Sequence, residues 1–181
     1  MNIITLAVGR ANRAISKAEM SDLKSLSMEA LVKRAASQLG YPRIKPKQLE
    51  AVVKFCQGRD VFASLPTSYG KTLIYALLPS IFNAIRGRNS SIVLVVSPLV
   101  ALMAEQKRRF LPIGINAEFL GELQTDDDAV GRVAKGQHEL VLVSPENLYY
   151  NRTLREMLLS TVYKENLVAL VVDEAHCIHT W

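Results

Sequence analysis

The segment Leu65-Pro66-Thr67-Ser68-Tyr69-Gly70-Lys71-Thr72 decides how this chain folds. It joins the apolar run Val61–Leu65, which predicts a buried strand, to an apolar stretch over Thr72–Ile85, which predicts a central helix. A strand, a short loop and a helix in this order are typical of an alternating α/β fold. The loop is therefore expected at the carboxyl end of a strand, where open α/β sheets bind ligands.

The same alternation continues along the rest of the chain. Apolar, β-branched runs predict further strands over Ile92–Val96, Ile115–Leu120, Leu140–Val143 and Leu167–Val172. Helical patterns are found over Lys47–Gln57, Val100–Phe110, Ala129–Ala134 and Glu146–Leu159. We therefore predict an α/β fold with a mostly parallel sheet and helices on both faces.

Two segments precede this region and are predicted to lie outside its sheet. Residues 1–20 show no clean periodicity and are predicted to form a flexible tail, although their basic residues leave a mitochondrial transit peptide as an alternative. Residues 21–43 are predicted to form a helical extension, because apolar side chains recur at helical spacing and Gly40 can end the helix. The domain itself is predicted over 44–181.

Composition narrows the class of protein. Of the 181 residues, 49% are apolar and 22% are charged, which excludes a chain disordered throughout. A net charge of +5 is compatible with a polyanionic partner but does not demonstrate one. Cys56 and Cys177 have no zinc-site spacing, so a reducing compartment is favoured and Cys56 is expected to be a buried apolar residue. No apolar run approaches the roughly 18 residues that cross a bilayer, so no membrane partner is predicted.

The end of the deciding loop, Gly70-Lys71-Thr72, matches the end of a phosphate-binding P-loop. Gly70 allows the backbone to approach a phosphate, Lys71 would reach the β- and γ-phosphates, and the Thr72 hydroxyl would ligate Mg²⁺. Backbone N–H groups of the same loop would complete the cradle, at Thr67, Ser68 and Tyr69. The general pattern has glycine where Leu65 stands, so a surface turn with a solvated lysine is the alternative.

Two carboxylates follow the last predicted strand, at Asp173 and Glu174. A carboxylate at the end of a buried strand is costly unless a cation compensates it. In a P-loop protein Asp173 would hold Mg²⁺ and Glu174 would orient and deprotonate the attacking water. We therefore expect Lys71 and these carboxylates to face each other at one edge of the sheet; the alternative is a solvated acidic turn.

Four blocks of sequence together resemble the RecQ group of superfamily-two DNA helicases. They begin at Leu65, Val95, Val143 and Asp173, and the last reads Asp-Glu-Ala-His-Cys-Ile-His-Thr-Trp. The resemblance implies a RecA-like P-loop NTPase lobe that uses ATP and Mg²⁺. It also implies 3′-to-5′ unwinding of single-stranded or forked DNA in the intact enzyme, and roles in DNA repair or recombination. A nuclear location follows from it, with mitochondrial and cytoplasmic locations as alternatives.

The resemblance assigns roles to residues outside the two phosphate motifs. Gln48 stands where the family pairs with the adenine edge, and Lys45 stands where the family usually has arginine. His176 is similar to the residue that couples nucleotide state to DNA. Trp181 corresponds to the start of an aromatic-rich loop that senses single-stranded DNA, where an aromatic ring could stack on a base.

Possible DNA contacts lie where two other strands end. Ser97 and Pro98 match the family's first DNA-contact motif, and Ser144 begins a similar turn after the next strand. Each turn offers hydroxyl and N–H groups to a phosphate. The basic run 107–109 complements a helix dipole, and Gln106 beside it is a further possible contact with the DNA backbone.

The family places a second motor lobe and its arginine finger beyond the position of Trp181. We therefore expect the isolated chain to bind ATP weakly, to hydrolyse it very slowly and to separate no strands. A non-catalytic DNA- or protein-docking module is the alternative, since Ser68 and Tyr69 replace glycines that the family often has. An unrelated P-loop kinase or GTPase is disfavoured, because Gln48 would have no role there.

Overall fold

The computed structural model describes residues 2–8 and 28–175. The strands are β1 (Asn2–Val8), β2 (Val61–Leu65), β3 (Ile92–Val96), β4 (Ala117–Leu120), β5 (Leu140–Val143) and β6 (Leu167–Asp173). The helices are α1 (Met28–Gln38), α2 (Pro46–Cys56), α3 (Lys71–Ala76), α4 (Leu78–Arg86), α5 (Val100–Phe110), α6 (Ala129–Ala134), α7 (Pro145–Tyr150), α8 (Arg152–Leu159) and α9 (Thr161–Asn166). The α/β prediction is confirmed.

The six strands form one sheet in the order β2-β1-β6-β3-β5-β4. Strands β6, β3, β5 and β4 pair in parallel, whereas β1 pairs antiparallel with both β2 and β6. Since β1 is antiparallel to both neighbours, β2 points the same way as β6. The carboxyl ends of five strands therefore share one edge, which we call the carboxyl edge.

Strand β1 corrects the prediction of a flexible tail over residues 1–20, which is wrong for residues 2–8. Ile4 and Leu6 have no exposed surface, and the strand lies inside the sheet. Its first residues lie at the carboxyl edge, with Asn2 opposite Leu65 and Ile4 opposite Asp173. Strand β1 thus connects the strand before the phosphate loop to the strand that carries the acids. The tail and helix predictions for 9–27 lie outside the described residues.

Two predicted helices are each divided by a local feature. The helix predicted over Thr72–Ile85 is interrupted at Leu77, because Pro79 has no N–H to donate to the carbonyl of Tyr75. The helix predicted over Glu146–Leu159 is interrupted at Asn151, whose side chain accepts from the N–H of Leu154 at 3.3 Å and caps α8. Helix α9 was not predicted.

Helices cover both faces of the sheet, as predicted. Side chains of β3 alternate between two apolar clusters: Val93 and Val95 pack with helices α1–α5, and Leu94 packs with α6, α8 and α9. Cys56 is 2% exposed in the first cluster, which confirms that it is a buried apolar residue. Among the described residues, every helix is too short or too polar to cross a membrane.

Candidate nucleotide-binding site

Lys71 and the two acids meet at the carboxyl edge. The Lys71 Nζ atom lies 2.6 Å from Oε1 of Glu174 and 3.5 Å from Oδ1 of Asp173. All three side chains are nearly buried, with exposed fractions of 10%, 11% and 3% in that order. The parallel directions of β2 and β6 produce this contact, because the loop after β2 and the end of β6 then lie at the same edge. The structure thus brings together residues that are 103 positions apart in sequence.

The electrostatics of this group favour a bound cation. Burial raises the pKa of Asp173, and the adjacent charge of Glu174 raises it further, while the amine of Lys71 opposes both. Two nearly buried carboxylates thus lie beside one amine. The Thr72 hydroxyl and the Asp173 carboxylate are oxygen ligands of the kind that Mg²⁺ prefers. The described residues contain no cluster of three His, Cys, Asp or Glu that could hold a metal ion.

The backbone is strained both in the phosphate loop and directly after β6. Ser68 has φ 61° and Glu174 has φ 53°, and both values lie in the left-handed region that non-glycine residues rarely occupy. Each costs about 1–3 kcal/mol and is retained only where the surroundings enforce it. The loop remains accessible, since Thr67, Ser68 and Gly70 are exposed. The N–H of Tyr69 donates to the carbonyl of Pro66 at 3.1 Å, so the predicted use of this N–H by a phosphate requires that bond to open.

Gln48 binds the phosphate loop directly. Its amide Nε2 donates to the carbonyls of Tyr69 at 3.1 Å and Gly70 at 2.8 Å, and its Oε1 accepts from the N–H of Lys45 at 2.9 Å. The Nζ atom of Lys45 donates to the same Tyr69 carbonyl at 3.0 Å and lies 4.5 Å from the centre of the Tyr69 ring. Gln48 is 3% exposed, so the predicted pairing with adenine requires its amide to exchange these partners.

Gly70→Ala tests this contact. A Cβ at Gly70 would lie 2.7 Å from Nε2 of Gln48 and would displace the amide from its two carbonyls. We expect a loss of about 1–2 kcal/mol in the free energy of unfolding beyond that of Gly40→Ala. Gly40 has a similar φ of +82° but open space around it, so it shares the strain without the clash. Equal losses in the two variants, measured by urea denaturation, would contradict the prediction.

A cleft of about 550 Å³ adjoins the phosphate loop. It is bounded by residues 68–72, by α5 and by the segment before α2. Tyr41 and Arg43 line the cleft without having been predicted as site residues, and so does Arg109, which was predicted only to complement a helix dipole. Arg43 is two positions from Lys45, and this proximity in sequence could have indicated that Arg43 also lines the cleft. Lys71 and Thr72 line the cleft, whereas Asp173 and Glu174 do not.

The predicted DNA contacts lie close together at the same edge. Ser97 has no exposed surface, and its hydroxyl has no hydrogen-bond partner among the described residues. The Ser144 hydroxyl caps α7 by accepting from the N–H of Asn147 at 3.2 Å, and Pro98 and Ser144 line one shallow groove. DNA contact by these residues stays a prediction. Two further predicted residues lie outside the described part of the chain: His176 and Trp181.

The basic end of α5 has structural partners. Lys107 pairs with the buried carboxylate of Glu118, and Arg109 pairs with Glu105 at 2.9 Å. Gln106 is 5% exposed and lies against a buried tyrosine. Its placement does not favour a contact with the DNA backbone.

Comparison with known proteins identifies the family. The model of the DEAD/DEAH box helicase family matches residues 45–181, which is three quarters of the chain. The chain belongs to this helicase family. The sheet and its covering helices are therefore the RecA-like lobe of a helicase, as the resemblance implied. The predicted resemblance to the RecQ group is also confirmed, because relatives about 30% identical to most of this chain include the helicases SGS1 and RecQ.

Relatives from three organisms illustrate the likeness. The ATP-dependent helicase SGS1 of Saccharomyces cerevisiae is 33% identical over 77% of this chain and 10% of its own length. The ATP-dependent DNA helicase RecQ of Haemophilus influenzae is 30% identical over 80% of this chain and 22% of its own. The ATP-dependent DNA helicase Q-like 5 of Arabidopsis thaliana is 33% identical over 94% of this chain and 18% of its own length. This helicase domain thus spans about a fifth or less of the length of these relatives.

Proposed function

We propose that this chain is the ATP- and DNA-binding lobe of a RecQ-like 3′-to-5′ DNA helicase. The observation that carries the proposal is the contact of Lys71 with Glu174 and Asp173 at the carboxyl edge. A P-loop lysine and two strand-end acids are the groups that phosphoryl transfer to water requires. The membership of the chain in the DEAD/DEAH box helicase family supports the same conclusion.

Each side chain then has a role when Mg²⁺ and ATP are bound. Lys71 would bind the β- and γ-phosphates, and Thr72 and Asp173 would hold Mg²⁺, which would supply positive charge beside the phosphates. Glu174 would orient the attacking water and accept its proton. Both roles require the contact of 2.6 Å between Lys71 and Glu174 to open.

Unwinding would require more than this lobe. In helicases of the resembled group a second lobe supplies an arginine finger, and such fingers contribute on the order of 10³–10⁵ in rate. For the 181-residue chain we propose weak ATP binding, very slow hydrolysis and no strand separation. The substrate proposed for the intact enzyme is single-stranded or forked DNA, and the location proposed is the nucleus. Relatives come from both eukaryotes and a bacterium, so this location needs a direct test.

Nucleotide binding tests the proposal. We expect the wild-type chain and Glu174→Gln to bind a fluorescent ATP analogue with Mg²⁺, and Lys71→Ala combined with Glu174→Gln to lose most of that binding. The double variant is the proper comparison, because it removes the amine together with one of the two carboxylates that face it. A wild-type chain that binds no nucleotide, or a double variant that binds as well as wild type, would refute the proposal.

The second candidate is a non-catalytic docking module. It is favoured by two contacts within the protein, in which Lys71 bonds to Glu174 and Gln48 bonds to the carbonyl of Gly70. Such a module would bind DNA with the same affinity with or without ATP, and the double variant at Lys71 and Glu174 would match wild type. A DNA affinity that changes with nucleotide only in the wild-type chain would exclude it.

A further inference from the structure

The residue that precedes α2 reaches the phosphate loop through its side chain. The Nζ atom of Lys45 donates to the carbonyl of Tyr69 at 3.0 Å and lies 4.5 Å from the centre of the Tyr69 ring. The two residues are 24 positions apart in sequence, and Lys45 is exposed. A hydrogen bond and a cation–π contact with the same residue thus connect the beginning of α2 to the loop.

Tyr69 is held by both of its peptide groups. Its N–H donates to the carbonyl of Pro66 at 3.1 Å, and its carbonyl accepts from Lys45 and also from Nε2 of Gln48 at 3.1 Å. The same Gln48 amide donates to the carbonyl of Gly70 at 2.8 Å. Gln48 is itself fixed, since its Oε1 accepts from the N–H of Lys45 at 2.9 Å. The loop is therefore fastened to the beginning of α2 at two consecutive carbonyls.

These bonds compete with the proposed use of the loop. A phosphate in the loop would need the N–H of Tyr69, and adenine would need the amide of Gln48, and both groups are bonded within the protein. A contact that stabilises this arrangement reduces the fraction of molecules that can accept a nucleotide. The apparent affinity for nucleotide falls by the same fraction.

We propose that the contact of Lys45 with Tyr69 is a latch that keeps the phosphate loop closed until a nucleotide binds. The inference rests on the proposed function and deepens it, since it adds a control on access to the same site. Lys45 lines the cleft, but in this role its amine opposes nucleotide binding instead of contributing to it. Because Lys45 is exposed, the latch is weak enough for a triphosphate to open.

Lys45→Met tests the latch, because methionine has a side chain of similar length without the amine. In the absence of nucleotide, we expect the N–H of Tyr69 to exchange with solvent about three- to tenfold faster than in the wild-type chain. The affinity for a fluorescent ATP analogue with Mg²⁺ should rise by about the same factor. Loss of a positive charge by itself weakens the binding of a polyanion, so the charge cannot account for such a gain. Hydrogen exchange followed by NMR and fluorescence titration measure the two effects.

Lys47→Met is the matched control. Lys47 is also exposed and lies two residues further along, but it does not line the cleft. This variant loses the same charge and should neither speed the exchange at Tyr69 nor raise the affinity. Thermal unfolding confirms that both variants are folded at the temperature of measurement.

The outcomes separate the latch from the proposed function. Unchanged exchange in Lys45→Met, an affinity equal to or below that of the wild-type chain, or the same gains in Lys47→Met would each overturn the latch. A wild-type chain that binds no nucleotide would overturn the proposed function and this inference together. Nucleotide binding that depends on Lys71, without the two gains in Lys45→Met, would overturn only the latch.

Discussion

Lys71→Ala is expected to lower the free energy of unfolding by about 3–5 kcal/mol, because it removes the cation from a nearly buried group and leaves two acids together. Glu174 and Asp173 are 11% and 3% exposed, so water would replace the lost amine only in part. Adding Glu174→Gln should restore much of the loss, since only one carboxylate then remains. Urea denaturation followed by circular dichroism measures both effects.

A surface ion pair of the same length provides the control. Lys54 Nζ also lies 2.6 Å from a carboxylate oxygen, that of Glu50, but these side chains are 48% and 59% exposed. Lys54→Ala should therefore cost only about 0–1 kcal/mol. If Lys71→Ala were no more costly than Lys54→Ala, burial would not be what makes the Lys71 contact important.

Ile4→Ala is expected to cost about 2–5 kcal/mol, because Ile4 is fully buried in a strand bonded on both sides. Ile3→Ala makes the same chemical change at a partly exposed position of the same strand, and should cost about 1 kcal/mol or less. Deleting residues 1–8 should abolish cooperative unfolding, since β2 would lose its only paired neighbour among the described strands. A truncated chain that melts like wild type would contradict the assignment of β1.

The sequence predicted best those elements whose signal is local. Helix α5 was predicted over Val100–Phe110 and has those bounds, because its period, its basic end and the Ser-Pro before it agree. Strand β1 was missed because most of its residues are apolar on both faces, which hides the alternation of burial, and because its partners lie far away in sequence. The pattern Ile-Ile-Thr over 3–5 was the available signal.

The candidate site was predictable in outline for a geometric reason. Parallel strands end at one edge, so a loop after β2 and acids after β6 had to approach each other. The choice of partners within the site was not predictable. Gln48 bonds to Gly70, and Lys71 bonds to Glu174. The distances between these partners depend on how segments far apart in sequence are placed in the fold. Periodicity carries no such information.

The placement of β1 also affects how this protein can be handled. Its first residue pairs opposite Leu65 and its third opposite Asp173, so the beginning of the chain separates the two halves of the phosphate-binding apparatus. An affinity tag fused ahead of Asn2 would emerge at the carboxyl edge, close to Leu65 and Asp173. A tag at this position is therefore expected to crowd the proposed nucleotide site.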